Sequence, residues 1–282
     1  MPNIVLHKKS HLSVFRRIAA IAWNAPRDPT ILGTMQFRAE ALEAWIQAQR
    51  ERTGERITVT HAVARAAAVV LHRHPDLNSM IRLGRLYHRE DVDVFVQVAI
   101  EHPAEPGEGV GKTDLSGVVI RKADTKDIGA IAQEIRAGAS KIRKGQDEDF
   151  KKVRRQGELI PPLIFRWILR FLEFFQYTLN MNPRILGAPR DPFGSIMVTS
   201  LGSRGVKVAY APFFPQARTP IIILVGAIDD TPDVVEGQVV PTRQLTLSAT
   251  FDHRVLDGLH CSIFANEMNK VLQEPGQLDP VS

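Results

Sequence analysis

Residues 245–258 read LTLSATFDHRVLDG, and the reading of this stretch governs the rest of the 282-residue chain. Leu245, Leu247, Ala249 and Phe251 alternate with Thr246, Ser248, Thr250 and Asp252, the period of a half-buried strand. From Leu259 to Leu272 the apolar residues Ile263, Phe264, Met268 and Leu272 are spaced like one face of a helix. His253 therefore falls at a strand-to-helix junction, with Asp257 four places on and Gly258 directly after it. Such a junction holds a side chain firmly while leaving it open to a pocket, and an imidazole there suits a base near neutral pH.

Upstream, GSIMVTS, TPIIILVGAI and QLTLSATF read as strands, and Glu236-Gly237 marks a hairpin turn. In the first half, Arg38 to Thr53 is an amphipathic helix with Leu42, Trp45 and Ile46 inward and Gly54 as its stop. The Ala-rich run from His61 to His74 predicts a second helix, capped by Thr58 or Thr60, ended by Pro75 and packed closely on a sheet. Asp91 to Ile100 and Gly117 to Arg121 predict two more strands, and a polar helix runs from an Asp124 cap to about Gln156. Residues 1–30 form an N-terminal arm ending in a turn.

Residues 158–188 form a hydrophobic helical insertion, centred on LIPPLIFRWILRFLEFFQYTLN at 159–180. A helix from Pro162 puts Arg166, Arg170 and Glu173 on one narrow stripe and apolar residues nearly everywhere else. Three charges and a Pro-Pro start argue against a membrane span. The alternatives are a buried or partner-facing helix, interfacial membrane contact through 159–180, and the wall of a greasy acyl pocket. With no internal repeat, low-complexity tract or long linker, residues 1–282 read as a single α/β domain.

Composition excludes several classes. The one cysteine, Cys261, rules out an intrachain disulfide framework and a CxxC site. No N-terminal secretory pattern is present, so the expected location is cytoplasmic. A net charge of +5 suits nucleic acid, an anionic membrane surface or a phosphate-bearing ligand. Nucleic acid is disfavoured because the helix after Asp124 mixes both signs of charge and lacks aromatics until Phe150. GEGVGKT at 107–113 fails as a phosphate loop, because Pro106 stands where the pattern needs glycine and a strand follows. His61, His72 and His74 have no acidic partner at ligand spacing, so no metal site is expected.

LTLSATFDHRVLDG resembles the active-site signature of the acyltransferase component of 2-oxoacid dehydrogenase complexes, the dihydrolipoamide acyltransferase family. HPDLNS, VDVFVQVAI, SIMVTSLGSRGV and TPIIILVGAI resemble further segments of that family in the same order, so the likeness runs from about Ile31 to Pro275. The resemblance implies a two-layer sandwich of a mixed β-sheet with helices, the coenzyme A-dependent acyltransferase fold shared with chloramphenicol acetyltransferase. It implies that His253 is the general base that deprotonates a thiol of coenzyme A or dihydrolipoamide. Asp257 would orient the catalytic segment, with Arg16 or Arg17 as its partner and Gly258 in support. Thr199, with Ser200 beside it, stands where the family places the hydroxyl that donates to the oxyanion, often from a serine. A homotrimer, or a higher multiple of three, would build the site between subunits.

The departures bear on substrate. The family's lipoyl and subunit-binding domains have no counterpart in these residues, which suggests a stand-alone form. Residues 101–112 replace the family's Gly-Leu-x-x-Pro-Val pattern, and the insertion replaces a short connection. The expectation is an acyltransferase using coenzyme A as a substrate and a thiol, hydroxyl or amine of a small molecule as acceptor. The alternatives are a catalytic subunit served by a lipoyl group on a separate protein, and a non-catalytic trimeric scaffold or membrane-associated assembly protein.

Overall fold

The computed structural model describes residues 28–101, 113–144, 161–182, 189–214 and 217–279. Its centre is a six-stranded mixed sheet in the order β1-β8-β7-β6-β4-β5. These strands are β1 (Thr30–Arg38), β4 (Val94–Glu101), β5 (Thr113–Ile120), β6 (Ile196–Ser200), β7 (Ile221–Val235) and β8 (Gln238–Asp252). A small hairpin of β2 (Ser79–Arg82) and β3 (Arg85–His88) stands apart. β6 runs parallel to both β4 and β7, and the remaining pairs are antiparallel. Glu236 and Gly237, with φ of 51° and 80°, close the β7–β8 hairpin, as a tight turn with two left-handed residues requires.

The helices are α1 (Glu40–Thr53), α2 (Val59–Arg73), α3 (Ile128–Arg143), α4 (Pro162–Glu173) and α5 (Gly258–Gln273). α1, α2, α3 and α5 pack together with one face of the sheet around a core that includes Val94, Val198, Ile223, Leu247 and Phe251. The alanines of α2 let its backbone approach the strands, and every residue from Ala62 to Leu71 is buried. Arg65 lies within that run. It is only 2% exposed, and its guanidinium donates to the carbonyls of Leu278, Ala123 and Asp124 at 2.8–3.1 Å, stitching α2 to the chain end and to the turn before α3. On α5, Phe264 is fully buried against Phe251, with ring centroids 5.6 Å apart. Such burial contributes roughly 1.5–3 kcal/mol.

Two expectations need correction. The helix expected from Asp124 begins at Ile128 and is capped by Asp127, whose carboxylate accepts from the Ala130 N–H at 2.7 Å, while Asp124 sits in a preceding short turn. That helix ends at Arg143; the part expected further on, to Gln156, lies outside the described residues beyond Lys144. β8 is buried on both faces along 245–252, not on one. Its polar side chains Thr246, Ser248 and Thr250 lie beneath a second covering, where Thr250 donates to the Ala211 carbonyl at 2.9 Å.

That second face carries its own apolar cluster, in which Phe95, Met197, Ala217 and Ile222 pack with Phe193, Ala211 and Phe213. α4 lies over it. Pro162 at its first turn suits a helix start, where a missing N–H costs nothing. Beyond Glu173 the helix widens into a π turn, Phe174–Thr178, that brings Tyr177 into the interior. The Tyr177 hydroxyl donates to Asp191 at 3.0 Å, and Asp191 also receives Arg89 at 2.7 Å. Burial and then Asp191 push the Tyr177 phenol far above its ordinary value, so it remains a donor. Glu173 pairs with Arg218 at 2.6 Å, and Arg82 donates to the Thr178 carbonyl at 2.9 Å. α4 is thus anchored by polar contacts at its C-terminal end.

Candidate active site

His253 projects from the turn between β8 and α5, and it is exposed. The turn is held from both sides. The His253 N–H donates to the Pro29 carbonyl at 2.7 Å, and the Asp252 carbonyl accepts from Val255 and Leu256 at 2.9 Å each. Phe251 and Leu256, both buried, fix the two ends of the turn in the core. The Asp252 carboxylate grips the Arg254 guanidinium at 2.6–3.2 Å, leaving His253 between them as the outward side chain.

Asp257 is the N-cap of α5. Its carboxylate accepts from the N–H groups of Leu259 and His260 at 3.0 and 3.1 Å and lies 2.6 Å from His260 Nδ1. The His260 backbone N–H and then its ring hold the Asp257 carboxyl below its ordinary range. His260 was not singled out in the sequence, although an acidic cap followed three places later by a side chain that reaches back is a recognisable capping pattern. Arg16 and Arg17, the arginines considered as partners of Asp257, lie outside the described residues. A Cβ added at Gly258 would meet nothing within 4 Å.

Thr199 and Ser200 end β6, opposite Leu224 and Val225 of β7. Alternation sends them to opposite faces. Thr199 shares the face of Met197 and lines a cavity beneath α4, whereas Ser200 does not. Gly202 makes the turn after them possible, because a Cβ there would come within 2.4 Å of the Gly226 carbonyl oxygen.

Within one chain the sheet keeps Thr199 and His253 apart. Asp252, the last residue of β8, shares a rung with Pro220 and Ser195 by extension of the register, four steps from the Thr199 rung. Four steps of about 3.3 Å and two strand spacings of about 4.8 Å give roughly 16 Å between the two backbones.

Two cavities border the region. One, of about 340 Å³, is lined by Pro29, Asp252 and Arg254 around the His253 turn and by Glu173 and Arg218. The other, of about 630 Å³, lies between α4 and the second sheet face and includes Thr199. They share Glu173, Phe213 and Phe214. Among the described residues no cluster of histidine, cysteine and acidic side chains could hold a metal ion, and no helix is long and apolar enough to cross a membrane. His72 does have an acidic partner, Asp124 at 2.8 Å, but from a distant part of the chain.

Residues 8–152 and 193–279 match the family model for the 2-oxoacid dehydrogenases acyltransferase (catalytic domain). The chain belongs to this family. Among its acyltransferase relatives, the dihydrolipoyllysine-residue acetyltransferase component of the acetoin cleaving system of Bacillus subtilis is 28% identical over 228 residues, covering 81% of this chain and 44% of that protein. The lipoamide acyltransferase component of the branched-chain alpha-keto acid dehydrogenase complex of Pseudomonas putida is 35% identical over 86 residues, 30% of this chain and 19% of that one. The chain spans about half the length of the curated relatives that it matches over most of its residues. The fold is that of acyltransferase cores. A probable dihydrolipoamide acetyltransferase from Listeria monocytogenes superposes with a TM-score of 0.61 at 18% identity over 95% of both chains, and the cubic core of a pyruvate dehydrogenase multienzyme complex with 0.62 at 20% over 99% of both. The family match leaves out residues 153–192, and α4 lies among them.

Proposed function

We propose that this protein transfers an acyl group between coenzyme A and a thiol, with His253 as the base. The observation that carries the reading is the exposed imidazole of the DHRVLDG segment, held on a turn whose backbone is bonded on both sides. A thiol of ordinary pKa near 8.5 is mostly protonated at neutral pH and needs a base to become a nucleophile. In the proposed reaction His253 takes the acceptor's proton and the thiolate adds to the thioester carbonyl. Thr199 Oγ1 donates to the resulting oxyanion. Collapse expels the coenzyme A thiolate, which takes the proton back from the imidazolium.

A reacting carbonyl must lie about 3 Å from both groups, and because roughly 16 Å separates the two backbones within one chain, we take His253 and Thr199 of one site to belong to two copies of the chain. We therefore read the active form as a homotrimer or a multiple of three. The trial is chromatographic detection of free coenzyme A and of the S-acylated acceptor formed from acyl-coenzyme A by the intact chain, with dihydrolipoamide or a separately added lipoyl domain as acceptor. Acylation of the lipoyl domain favours a role beside another chain that carries it. Full activity of His253→Ala would remove His253 as the base.

A second reading rests on the outer face of α4, where Ile164, Trp167, Phe171 and Phe174 are each at least 50% exposed and Arg170 lies 5.4 Å from the Trp167 ring. Aromatic residues flanked by arginine suit an interfacial helix on an anionic membrane. In that reading the chain is a membrane-associated assembly protein that keeps the acyltransferase fold. Flotation with phosphatidylserine vesicles tests it, and unchanged flotation of a Trp167→Ser/Phe171→Ser variant would exclude this face.

A further inference from the structure

The inner face of α4 has a different character from the outer one. Leu169 and Leu172 point into the 630 Å³ cavity, opposite Phe95, Met197 and Ile222 of the sheet. The rings of Phe95, Phe193 and Phe214 form a continuous wall, with successive centroids 5.6 and 5.3 Å apart. Gly117 keeps that wall in place, since a Cβ there would lie 2.0 Å from the Phe95 ring. Three polar groups of the lining are engaged: Glu173 by Arg218, Tyr177 by Asp191, and Gln176 by the Pro189 carbonyl at 3.4 Å. Both ionisable groups in the lining, Glu173 and Tyr177, are thus already paired.

We propose that this cavity is the acyl-chain pocket, and that it selects uncharged apolar acyl groups of medium length over acetyl and succinyl. The inference deepens the acyltransferase reading and rests on it. Thr199 is the link. The hydroxyl assigned to the carbonyl oxygen is itself part of the cavity lining, so a carbonyl bound there directs its alkyl tail between α4 and the sheet. The volume falls within the range of roughly 300–1,000 Å³ that encloses whole small molecules, far more than a methyl group occupies. A carboxylate at the end of the tail would be desolvated with no cation among the described lining residues to receive it. The pocket's gauge is set by Leu169 and Leu172, which fall in the stretch that the family match omits. Chain-length selection is therefore a property of this chain's own residues.

The experiment uses the full chain and coenzyme A, acetyl-, octanoyl- and succinyl-coenzyme A, measuring binding by calorimetry and transfer by chromatography of the S-acyl-dihydrolipoamide formed. Binding should tighten at least tenfold from acetyl- to octanoyl-coenzyme A, on the order of one methylene's discrimination in an apolar pocket. Succinyl-coenzyme A should bind no better than coenzyme A. Leu169→Trp should fill the pocket and lower the octanoyl-to-acetyl ratio at least tenfold in both measurements. Leu172→Ala, which opens the pocket, should move the preferred chain to greater length and covers the case in which Leu169→Trp does not fold. Equal binding of acetyl- and octanoyl-coenzyme A, or an unchanged ratio in a folded Leu169→Trp or Leu172→Ala protein, overturns the proposal. Absence of transfer with every donor defeats the acyltransferase reading, while the binding series still decides the pocket.

Discussion

Glu173 of α4 and Arg218 of the loop before β7 meet at 2.6 Å in the region where the two cavities adjoin. Both side chains are largely withdrawn from water, and Arg218 Nε is buried without a partner among the described residues. Removing the carboxylate leaves a cation with little water to replace it. Glu173→Gln should lower the unfolding free energy by about 1–3 kcal/mol in urea titration. It should also speed proteolysis within α4. Equal cleavage rates in the two proteins would show that the pair does not anchor the helix.

Assignment of His253 and Thr199 to different copies predicts complementation. His253→Ala should lose roughly 10²–10⁴-fold in kcat. Thr199→Val should lose about 10²–10³-fold, with Thr199→Ser restoring most of it. Subunits of the two inactive variants, mixed by co-expression, should regain a fraction of wild-type activity, because some sites then combine an intact histidine with an intact threonine. No recovery in a verified mixed assembly would place both groups in one chain.

Asp257 caps α5 through two backbone N–H groups and the His260 ring, which hold its carboxyl below the ordinary carboxylate range. A carboxyl lowered by folding contributes stability above its unfolded pKa of about 3.9, and that contribution disappears as pH falls through the lower folded value. Asp257→Ala should therefore melt below wild type at pH 7, with the difference closing in strong acid. Asp257→Asn, which keeps an acceptor oxygen, should fall between them.

His61 gives a second pH dependence with a different window. Its Nδ1 accepts from the Thr58 N–H at 3.0 Å, and burial followed by the nearby Arg50 lowers its pKa from 6.5 to about 4. Below pH 6.5 the unfolded chain binds a proton that the folded chain refuses, so acid favours unfolding. This group alone should remove about 3 kcal/mol between pH 6.5 and 4. Urea titrations at pH 7, 5.5 and 4 should show the slope, and His61→Asn should flatten it.

Elements with strong local signals were legible in the sequence. The Ala-rich α2, with Thr58 at its cap and Pro75 after its end, and the Glu236-Gly237 turn lie where their residues place them. So do the β8–α5 junction and the acyltransferase fold, because the DHRVLDG segment carries both a period change and a family pattern. The buried polar face of β8 could not be read, since its cover comes from residues around Ala211, some 40 positions away, and alternation describes only a strand's own side chains. Arg65 in the core was equally hidden, because its three carbonyl partners come from Leu278, Ala123 and Asp124. The choice between Thr199 and Ser200 as the hydroxyl on the cavity also needed the third dimension. Adjacent strand residues differ only in the face they take, and the neighbours that distinguish those faces belong to β7 and α4.

The position of α4 in the chain has an evolutionary consequence. β4 and β6 are parallel neighbours, so the chain must cross over between them by a long connection whatever its composition. α4 lies in the last part of that crossover, after β5 and α3, and contributes no strand to the sheet. Its length and side chains can diverge without altering the strand register or the turn that carries His253. Under the roles proposed for His253 and for the α4 pocket, the chemistry and the choice of substrate would reside in separately mutable parts of one gene product, so a lineage could retune what it acylates while leaving how it acylates untouched.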